Sequence, residues 1–194
     1  MSERKQPLVV GIQGSPRLGG NTDMLLDAAL QGAAENGAAT QKIVLNELSI
    51  RPCQGCGGCD KTGQCVIKDD MCLVSDAIEK MDAMILASPV YFGGVTAQTK
   101  AMIDRGQPLW ARKYLLKQPI SRDGQRRDLL FLCTLGSGLH EMIESIRVQV
   151  KYFLDTMDGE YNELIFPKVE ERGEIGEHWE ALAQAREAGA RIVP

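Results

Sequence analysis

Short apolar runs alternate with helical periodicity along the whole chain. Near-continuous apolar runs predict five β-strands, at residues 8–12, 43–45, 83–87, 129–133 and 161–166. Apolar residues also recur at helical spacing, which predicts helices over 22–35, 72–80, 95–104, 140–157 and 175–190. The chain is therefore organised as five successive β-then-α units.

This order of elements predicts a doubly wound α/β fold with a five-stranded parallel sheet. Strands that alternate with helices form a parallel sheet covered on both faces, and near-continuous apolar strands are typical of such burial. Right-handed crossovers then give a single domain, residues 1–194, with a Cys-rich loop at about 50–72 after the second strand. Because ligands of such folds bind at the carboxyl ends of the strands, the loops there are the candidate sites.

Composition agrees with one globular domain. A length of 194 residues suits one domain, and 44% hydrophobic with 25% charged residues argues against disorder, collagen and coiled coil. The net charge of −4 argues against nucleic acid as a partner. No apolar run reaches the about 18–20 residues that span a bilayer, and residues 1–7 lead into no signal-peptide core. We expect a cytoplasmic protein with no membrane partner.

The loop between the first strand and the first helix is a candidate phosphate site. Its sequence at 14–22, Gly-Ser-Pro-Arg-Leu-Gly-Gly-Asn-Thr, brings small residues to a helix N-terminus, where backbone N–H groups and the helix dipole favour an anion. Ser15, Asn21 and Thr22 add side-chain donors, and Arg17 adds charge. The loop matches neither the Walker nor the dinucleotide-binding pattern. The alternative is a plain turn in which Asn21 or Thr22 caps the helix.

Four cysteines within thirteen residues form a second candidate site. Cys53, Cys56, Cys59 and Cys65 have the spacing C-x2-C-x2-C-x5-C, and the intervening glycines let the backbone curl. In a reducing cytoplasm such a cluster indicates a metal or redox site. Four thiolates suit a [4Fe–4S] cluster, one per iron. The alternatives are structural zinc, which usually takes two separated cysteine pairs, and unmetallated redox thiols.

The loop at 14–22, together with Ser-Pro-Val-Tyr-Phe-Gly at 88–93, resembles the flavodoxin-like NADPH-dependent FMN reductase family. The resemblance implies a flavodoxin-like, FMN-binding domain. By this resemblance the FMN phosphate is held by Ser15, Arg17, Asn21 and Thr22. The flavin ring is framed by Pro89, Val90, Tyr91, Phe92 and Gly93. The pyrimidine edge of the flavin is approached by Gly136 and Ser137.

With the cysteine motif, the chain resembles the iron–sulfur flavoprotein branch of that family. The implied function is an FMN-dependent oxidoreductase with a [4Fe–4S] cluster, which moves electrons between a reduced donor, ferredoxin or NAD(P)H, and an acceptor. The implied assembly is a homo-oligomer, dimer or tetramer, with the cluster of one subunit near the flavin of another. No catalytic side chain is expected, because the cofactors carry the chemistry. Alternatives are a cluster-free NAD(P)H-dependent FMN or quinone reductase and a non-enzymatic flavin electron carrier or redox sensor.

Other cysteines and the histidines are interpreted as structural. Cys72 and Cys133 are expected to be small core residues. His140 and His178 have no metal-ligand partner three or four residues away, and we expect them at the surface.

Charged segments outside the two candidate sites receive structural interpretations as well. Asp69 and Asp70 are expected to cap the helix at 72–80. The basic stretch 105–127 is interpreted as a solvated connector or subunit contact, and the alternative is a docking face for an acidic ferredoxin or a site for a nucleotide phosphate. The acidic segment 170–177 is interpreted as a solvated lead-in to the last helix.

Overall fold

A five-stranded parallel sheet runs through the part of the chain that the computed structural model describes, residues 6–118, 120 and 127–194. Its strands are β1 (Leu8–Gln13), β2 (Ala39–Val44), β3 (Ala83–Ala87), β4 (Arg127–Leu135) and β5 (Gly159–Pro167). They lie in the order β2-β1-β3-β4-β5, and each neighbouring pair is parallel. This order confirms the predicted flavodoxin-like, doubly wound sheet.

Helices connect the strands. They are α1 (Asn21–Glu35), α2 (Cys59–Thr62), α3 (Met71–Lys80), α4 (Ala97–Asp104), α5 (Gln107–Trp110), α6 (His140–Asp155) and α7 (Trp179–Arg191). Shorter turns are 3-10 at Leu45–Glu47 and Glu174–Glu177, and π-helical at Ala111–Leu115. Among the described helices, none combines the length and the apolar character needed to cross a membrane.

The helices form two apolar layers, one on each face of the sheet. Side chains of α1 and α7 build one layer, and side chains of α3, α4 and α6 build the other. Helices α1 and α7 approach so closely that a Cβ on Gly32 would lie 1.9 Å from the Arg186 carbonyl oxygen, and one on Gly189 would lie 1.9 Å from that of Ala29. Glycine at these positions lets the two backbones touch.

Burial of the strands follows their position in the sheet. The central strands β1, β3 and β4 are buried along nearly their whole length, as predicted. The edge strands β2 and β5 are largely half-buried or exposed, so the expectation of burial on both faces is wrong for them. Strand β2 also begins at Ala39 rather than at 43, because its first half is polar and exposed and gives no apolar pattern.

Helix boundaries differ from the prediction where side chains or backbone turns interrupt the periodicity. The helix predicted at 95–104 begins at Ala97, because the Thr96 side chain accepts a hydrogen bond from the Thr99 N–H and forms the N-cap. The helix predicted at 175–190 is divided into the 3-10 turn Glu174–Glu177 and α7, with the backbone of His178 (ψ 71°) between them. Apolar spacing alone does not detect such breaks.

Candidate functional site

The loop between β1 and α1 lies at the carboxyl edge of the sheet, where the strand order reverses. The N-cap of α1 is Gly20, without a side-chain hydrogen bond, so the alternative in which Asn21 or Thr22 caps the helix is wrong. Ser15 and Thr22 are buried, with 4% and 1% exposure. Ser15 Oγ accepts a hydrogen bond from the Arg17 N–H at 3.1 Å, which leaves its own proton to donate. An uncapped helix N-terminus with buried hydroxyls nearby suits an anion.

The charged side chains around this turn favour the binding of an anion. Arg17 is exposed at the loop, and Arg172 lines the same cavity. Asp23, in the first turn of α1, accepts a hydrogen bond from the Gly19 N–H at 2.8 Å and lies 2.6 Å from Lys42 Nζ. The negative charge of Asp23 is thus already paired and competes little with a ligand.

Buried hydroxyl groups fix this loop to the loop that follows β3. Thr96 and Thr99 donate hydrogen bonds from Oγ1 to the Gly14 carbonyl oxygen at 2.5 and 3.3 Å. Ser88 Oγ accepts a hydrogen bond from the Thr96 N–H at 3.3 Å. A Cβ on Gly14 would lie 2.0 Å from Thr99 Oγ1, so the contact requires glycine. The two loops therefore hold a fixed relative position.

The loop after β3 ends in a tight two-residue turn. Tyr91 and Gly94 exchange backbone hydrogen bonds of 2.8 and 3.0 Å. Between them Phe92 and Gly93 have φ of +50° and +73°, the signs of a type I′ turn. A positive φ is unusual for a bulky residue and costs conformational energy. The Phe92 side chain is fully exposed at the tip of this turn.

A cavity of about 260 Å³ opens between these loops, and we call it the edge cavity. It is lined by most of the residues predicted to bind FMN: Ser15, Arg17, Asn21, Thr22, Pro89, Val90, Tyr91 and Gly136. Three further predicted residues lie outside its lining: Phe92, Gly93 and Ser137. Ser137 Oγ instead lies 3.3 Å from the Met142 sulfur. Residues from three separate loops thus line one cavity.

The segment after β5 forms a wall of the edge cavity that the sequence analysis missed. It contributes Val169, Glu170 and Arg172 to the lining. Asn21 Nδ2 donates to the Glu171 carbonyl oxygen at 2.8 Å, and its Oδ1 accepts from the Ile175 N–H at 3.2 Å. Ile175 is completely buried, so the interpretation of 170–177 as a solvated lead-in is wrong for this residue, whereas residues 170–172, 176 and 177 are exposed as predicted. The apolar residues at 169 and 175 were the available signal within an otherwise acidic segment.

The cysteine loop joins β2 to α3 and curls through glycines, as predicted. Gly55 and Gly57 have φ of +61° and +70°, a conformation that costs glycine little and other residues much more. Cys59 begins the short helix α2. The backbone reversals turn the four cysteines toward a common space.

Cys53, Cys56, Cys59 and Cys65 are free thiols that line one cavity of about 500 Å³, which we call the cysteine cavity. Burial raises the pKa of the Cys59 thiol above its ordinary value, and the nearby charges of Asp60, Cys65 and Cys53 add to the rise. The charges that raise the pKa of Cys59 thus include those of two other cysteines of the same cavity. Several thiolates in this cavity need a positive group to stabilise them.

The donor set of this cavity fits an iron–sulfur cluster. Within residues 6–118, 120 and 127–194, no group of three or more His, Cys, Asp or Glu side chains is arranged around a single metal ion. A [4Fe–4S] cluster takes one thiolate per iron, so its four ligands surround a volume instead of meeting at a point. Four thiols around one cavity match that requirement.

The predictions for the remaining cysteines and the histidines are confirmed, except for that of Cys72. Cys133 is completely buried in β4, as predicted. Cys72 is exposed, so its assignment to the core is wrong. The buried face of α3 is formed by Met71, Val74, Ala77 and Ile78, and Cys72 lies off that face. The side chains of His140 and His178 are 81% and 49% exposed, which confirms their surface position.

Asp69 and Asp70 have different partners. Asp69 Oδ1 accepts a hydrogen bond from the Met71 N–H at 3.2 Å, in agreement with a capping role. Asp70 is the N-cap residue of α3 by position, but its side chain makes no capping hydrogen bond, and its Oδ2 instead accepts from the Ser49 N–H at 2.7 Å. The hydrogen-bonded Arg105 guanidinium lowers the pKa of Asp69 to about 2, and Asp69 is therefore a permanent anion near neutral pH.

The basic stretch 105–127 is packed at both of its ends. Arg105 and Arg127 are 2% and 8% exposed, so the solvated-connector interpretation is wrong for these two residues. Arg112 pairs with Glu79. Arg122 and Arg126 lie outside the described residues. For the rest of the stretch, the subunit contact and its alternative, a docking face or a nucleotide-phosphate site, stay predictions.

The chain matches a known protein family over most of its length. Residues 7–171 match the family described as NADPH-dependent FMN reductase. The matched range includes the loop after β1, the loop after β3 and the whole cysteine loop. The match confirms the family indicated by the sequence motifs and supports the predicted class of enzyme, an FMN-dependent oxidoreductase.

Curated relatives include iron–sulfur flavoproteins. One from Methanocaldococcus jannaschii is 46% identical over 101 residues, which are 52% of this chain and 52% of the relative. One from Methanosarcina thermophila is 38% identical over 112 residues, which are 58% of this chain and 59% of the relative. The chain thus matches about half the length of these curated relatives.

Solved structures share the fold. An NAD(P)H:quinone oxidoreductase from Methanothermobacter marburgensis superposes with a TM-score of 0.74 at 17% identity, covering 97% of this chain and 96% of that one. A flavone reductase superposes with a TM-score of 0.70 at 22% identity, covering 96% of this chain and 62% of that one. These likenesses confirm the architecture.

Proposed function

This chain belongs to the NADPH-dependent FMN reductase family, and on that basis we propose that it is an FMN-dependent oxidoreductase with a [4Fe–4S] cluster. The family supports the flavin chemistry, and the iron–sulfur flavoprotein relatives support the cluster. The observation that carries the proposal is the uncapped first turn of α1, which opens on the edge cavity at the strand-order reversal. That turn is suited to the doubly charged phosphate of FMN.

The phosphate is bound by backbone and side-chain donors of one loop. The backbone N–H groups of Asn21 and Thr22 point along the start of α1 and have no helical acceptor. The hydroxyls of Ser15 and Thr22 donate from buried positions, and Arg17 supplies the positive charge. The Asn21 side chain is hydrogen-bonded to the segment after β5, which forms one wall of the edge cavity.

The flavin ring lies against the loop after β3. The edge cavity, at about 260 Å³, is slightly smaller than the roughly 300–1,000 Å³ of ordinary ligand pockets, so it has room for only part of FMN. The residues that would hold the ring are those of the loop after β3. There it is framed by Pro89, Val90, Tyr91, Phe92 and Gly93. Gly136 and Ser137 approach its pyrimidine edge from the end of β4.

The bound cofactors supply the redox chemistry, two electrons for the flavin and one for the cluster. Cys53, Cys56, Cys59 and Cys65 are the cluster ligands. We assign no side chain as a general acid or base. The electron donor is reduced ferredoxin or NAD(P)H, and the two are distinguished by mixing the oxidised protein anaerobically with each and recording which one bleaches the flavin.

The active unit is a homo-oligomer, dimer or tetramer. No described residue lines both the edge cavity and the cysteine cavity. The flavin and the cluster of one chain would therefore share no wall through which electrons could pass. Trp110, which lines the cysteine cavity, and Tyr114 are both about 40% exposed, and their rings lie 5.8 Å apart. This apolar surface suits a second subunit, which would bring its flavin to the cluster. Light scattering of the purified protein measures the assembly.

Anaerobic purification tests the whole proposal. We expect a brown-yellow protein with one FMN and about four iron and four sulfide per chain. Dithionite should bleach the flavin and produce the electron paramagnetic resonance signal of a reduced cluster. A yellow, iron-free protein that NADPH reduces would support a cluster-free FMN or quinone reductase instead. A colourless protein that cannot be loaded with FMN would contradict the proposal.

A further inference from the structure

Arg105 is a buried cation at the base of the cysteine loop. It follows the last turn of α4, and its side chain is 1% exposed. Its Nη1 lies 2.7 Å from Asp69 Oδ2 and its Nη2 lies 3.0 Å from Asp69 Oδ1, so the two side chains form a bidentate ion pair. A charge so deeply buried persists only where it is paired and hydrogen-bonded.

The same guanidinium holds both ends of the cysteine loop. Its Nη1 donates to the Arg51 carbonyl oxygen at 2.9 Å, and its Nη2 donates to that of Ile67 at 3.4 Å. Asp69 in turn accepts a hydrogen bond from the Arg51 N–H at 3.0 Å. Arg51 and Ile67 lie two residues outside Cys53 and Cys65. One ion pair therefore sets the separation of the first and last cysteine.

One donor of Arg105 is left over. Its Nε is buried and has no hydrogen-bond partner among the residues that the structure describes. Arg105 and Cys65 line the cysteine cavity together. Burial opposes the charge of Arg105, but Asp69 and Cys65 together raise its pKa above the ordinary arginine value. Since a guanidinium only donates, a thiolate sulfur at Cys65 is the acceptor that this site offers.

We propose that Arg105 is a positioning residue for the cluster, one that fixes the ends of the cysteine loop and donates its Nε–H to the Cys65 sulfur. This inference rests on the proposed function. A hydrogen bond and a positive charge at a ligand sulfur stabilise the added electron, so they make the cluster easier to reduce. Arg105 gains and loses no proton in this step, because it stays charged throughout.

Arg105→Lys tests the role, because lysine keeps the charge but loses the Nε–H and the planar fork. We expect the variant to keep its FMN, whose cavity does not include Arg105. Its cluster should be about tenfold harder to reduce, a midpoint lower by ~59 mV for one electron, in a redox titration followed by electron paramagnetic resonance. The matched control is Arg112→Lys, which alters a nearby arginine paired with Glu79 and should leave the midpoint unchanged.

A second variant, Arg105→Gln, keeps an N–H donor without the charge and is measured if the lysine variant does not fold, as judged by FMN content and circular dichroism. It should also show a lowered midpoint. A wild-type midpoint and iron content in the folded variant would overturn the inference while the proposed function stands. A wild-type protein that binds FMN but no iron would refute the cluster in the proposed function, and the role of Arg105 with it.

Discussion

The hydroxyl of Thr96 donates a hydrogen bond to the carbonyl oxygen of Gly14 and thereby joins the loop after β3 to the loop after β1. Thr96 Oγ1 also accepts a hydrogen bond from the Thr99 N–H, as the N-cap of α4. Thr96 is completely buried. Thr96 therefore caps the start of α4 and fixes the loop after β1 at the same time.

Replacing Thr96 by valine should weaken both folding and FMN binding. Thr96→Val keeps the shape but removes the N-cap and leaves the Gly14 carbonyl with a weaker set of donors, so we expect the free energy of unfolding to fall by about 1–2 kcal/mol. Urea denaturation and FMN fluorescence titration measure the two effects. Thr96→Ser retains the hydroxyl and is the control. A valine variant with wild-type stability and wild-type FMN affinity would show that this hydrogen bond does not fix the loop after β1.

Removing the charge of Arg17 should affect FMN and not riboflavin. Arg17→Gln loses a donor to the phosphate, so the dissociation constant for FMN should rise about tenfold, corresponding to ~1.4 kcal/mol. Riboflavin has no phosphate, and its affinity should stay the same. Arg191→Gln, at the far end of α7, controls for the loss of one surface charge. An equal loss of affinity for both flavins would remove Arg17 from the phosphate site.

Local patterns predicted the parts of the fold that local contacts determine. Strand β3 has the predicted bounds, Ala83–Ala87, because all five residues are buried and apolar. The glycine-rich loops and the cysteine spacing can also be recognised within a few consecutive residues. Eight residues of the edge cavity lining and the four cysteines of the cysteine cavity could thus be found from short segments of sequence.

Contacts between distant segments could not be predicted in this way. The Asn21 amide reaches the carbonyl of Glu171, 150 residues away, and that contact creates a wall of the edge cavity. The pairing of Arg105 with Asp69 spans 36 residues, and a single arginine in a basic stretch gives no sign of burial. Such contacts depend on the packed tertiary structure, which apolar periodicity does not contain.

The cysteines allow a matched pair of variants. Cys65→Ser should abolish the cluster, because oxygen is a poor substitute for a thiolate ligand, whereas Cys72→Ser should leave it intact. Both positions lie near each other in sequence, but Cys72 is exposed on α3 and lies outside the lining of the cysteine cavity. Iron and sulfide analysis measures the outcome. Equal cluster content in the two variants would argue against Cys65 as a ligand.

Phe92 is held in a backbone conformation that suits glycine better. Phe92→Gly should raise the free energy of unfolding of the FMN-free protein by up to about 1 kcal/mol, because it relieves the positive φ. If Phe92 frames the flavin, the same change should weaken FMN binding several-fold. Phe92→Leu keeps the strain and removes only the ring, so it separates the two effects. A glycine variant that gains stability with unchanged FMN affinity would exclude Phe92 from the flavin site.

Glu163 on β5 gives the fold a pH dependence at a residue that lines neither cavity. Although burial opposes its charge, hydrogen bonds from Arg147 and Tyr161 hold the pKa of Glu163 below its ordinary value of 4.5. A lowered pKa in the folded state means that the stabilisation is complete above pH 4.5 and is lost as the pH falls below it. At pH 7, Glu163→Gln should cost about 1–2 kcal/mol in urea denaturation, and this difference from wild type should shrink toward pH 3. The exposed Glu141→Gln is the control and should cost little at either pH. A constant difference between wild type and Glu163→Gln across this range would mean that the glutamine loses packing and not a charged hydrogen bond.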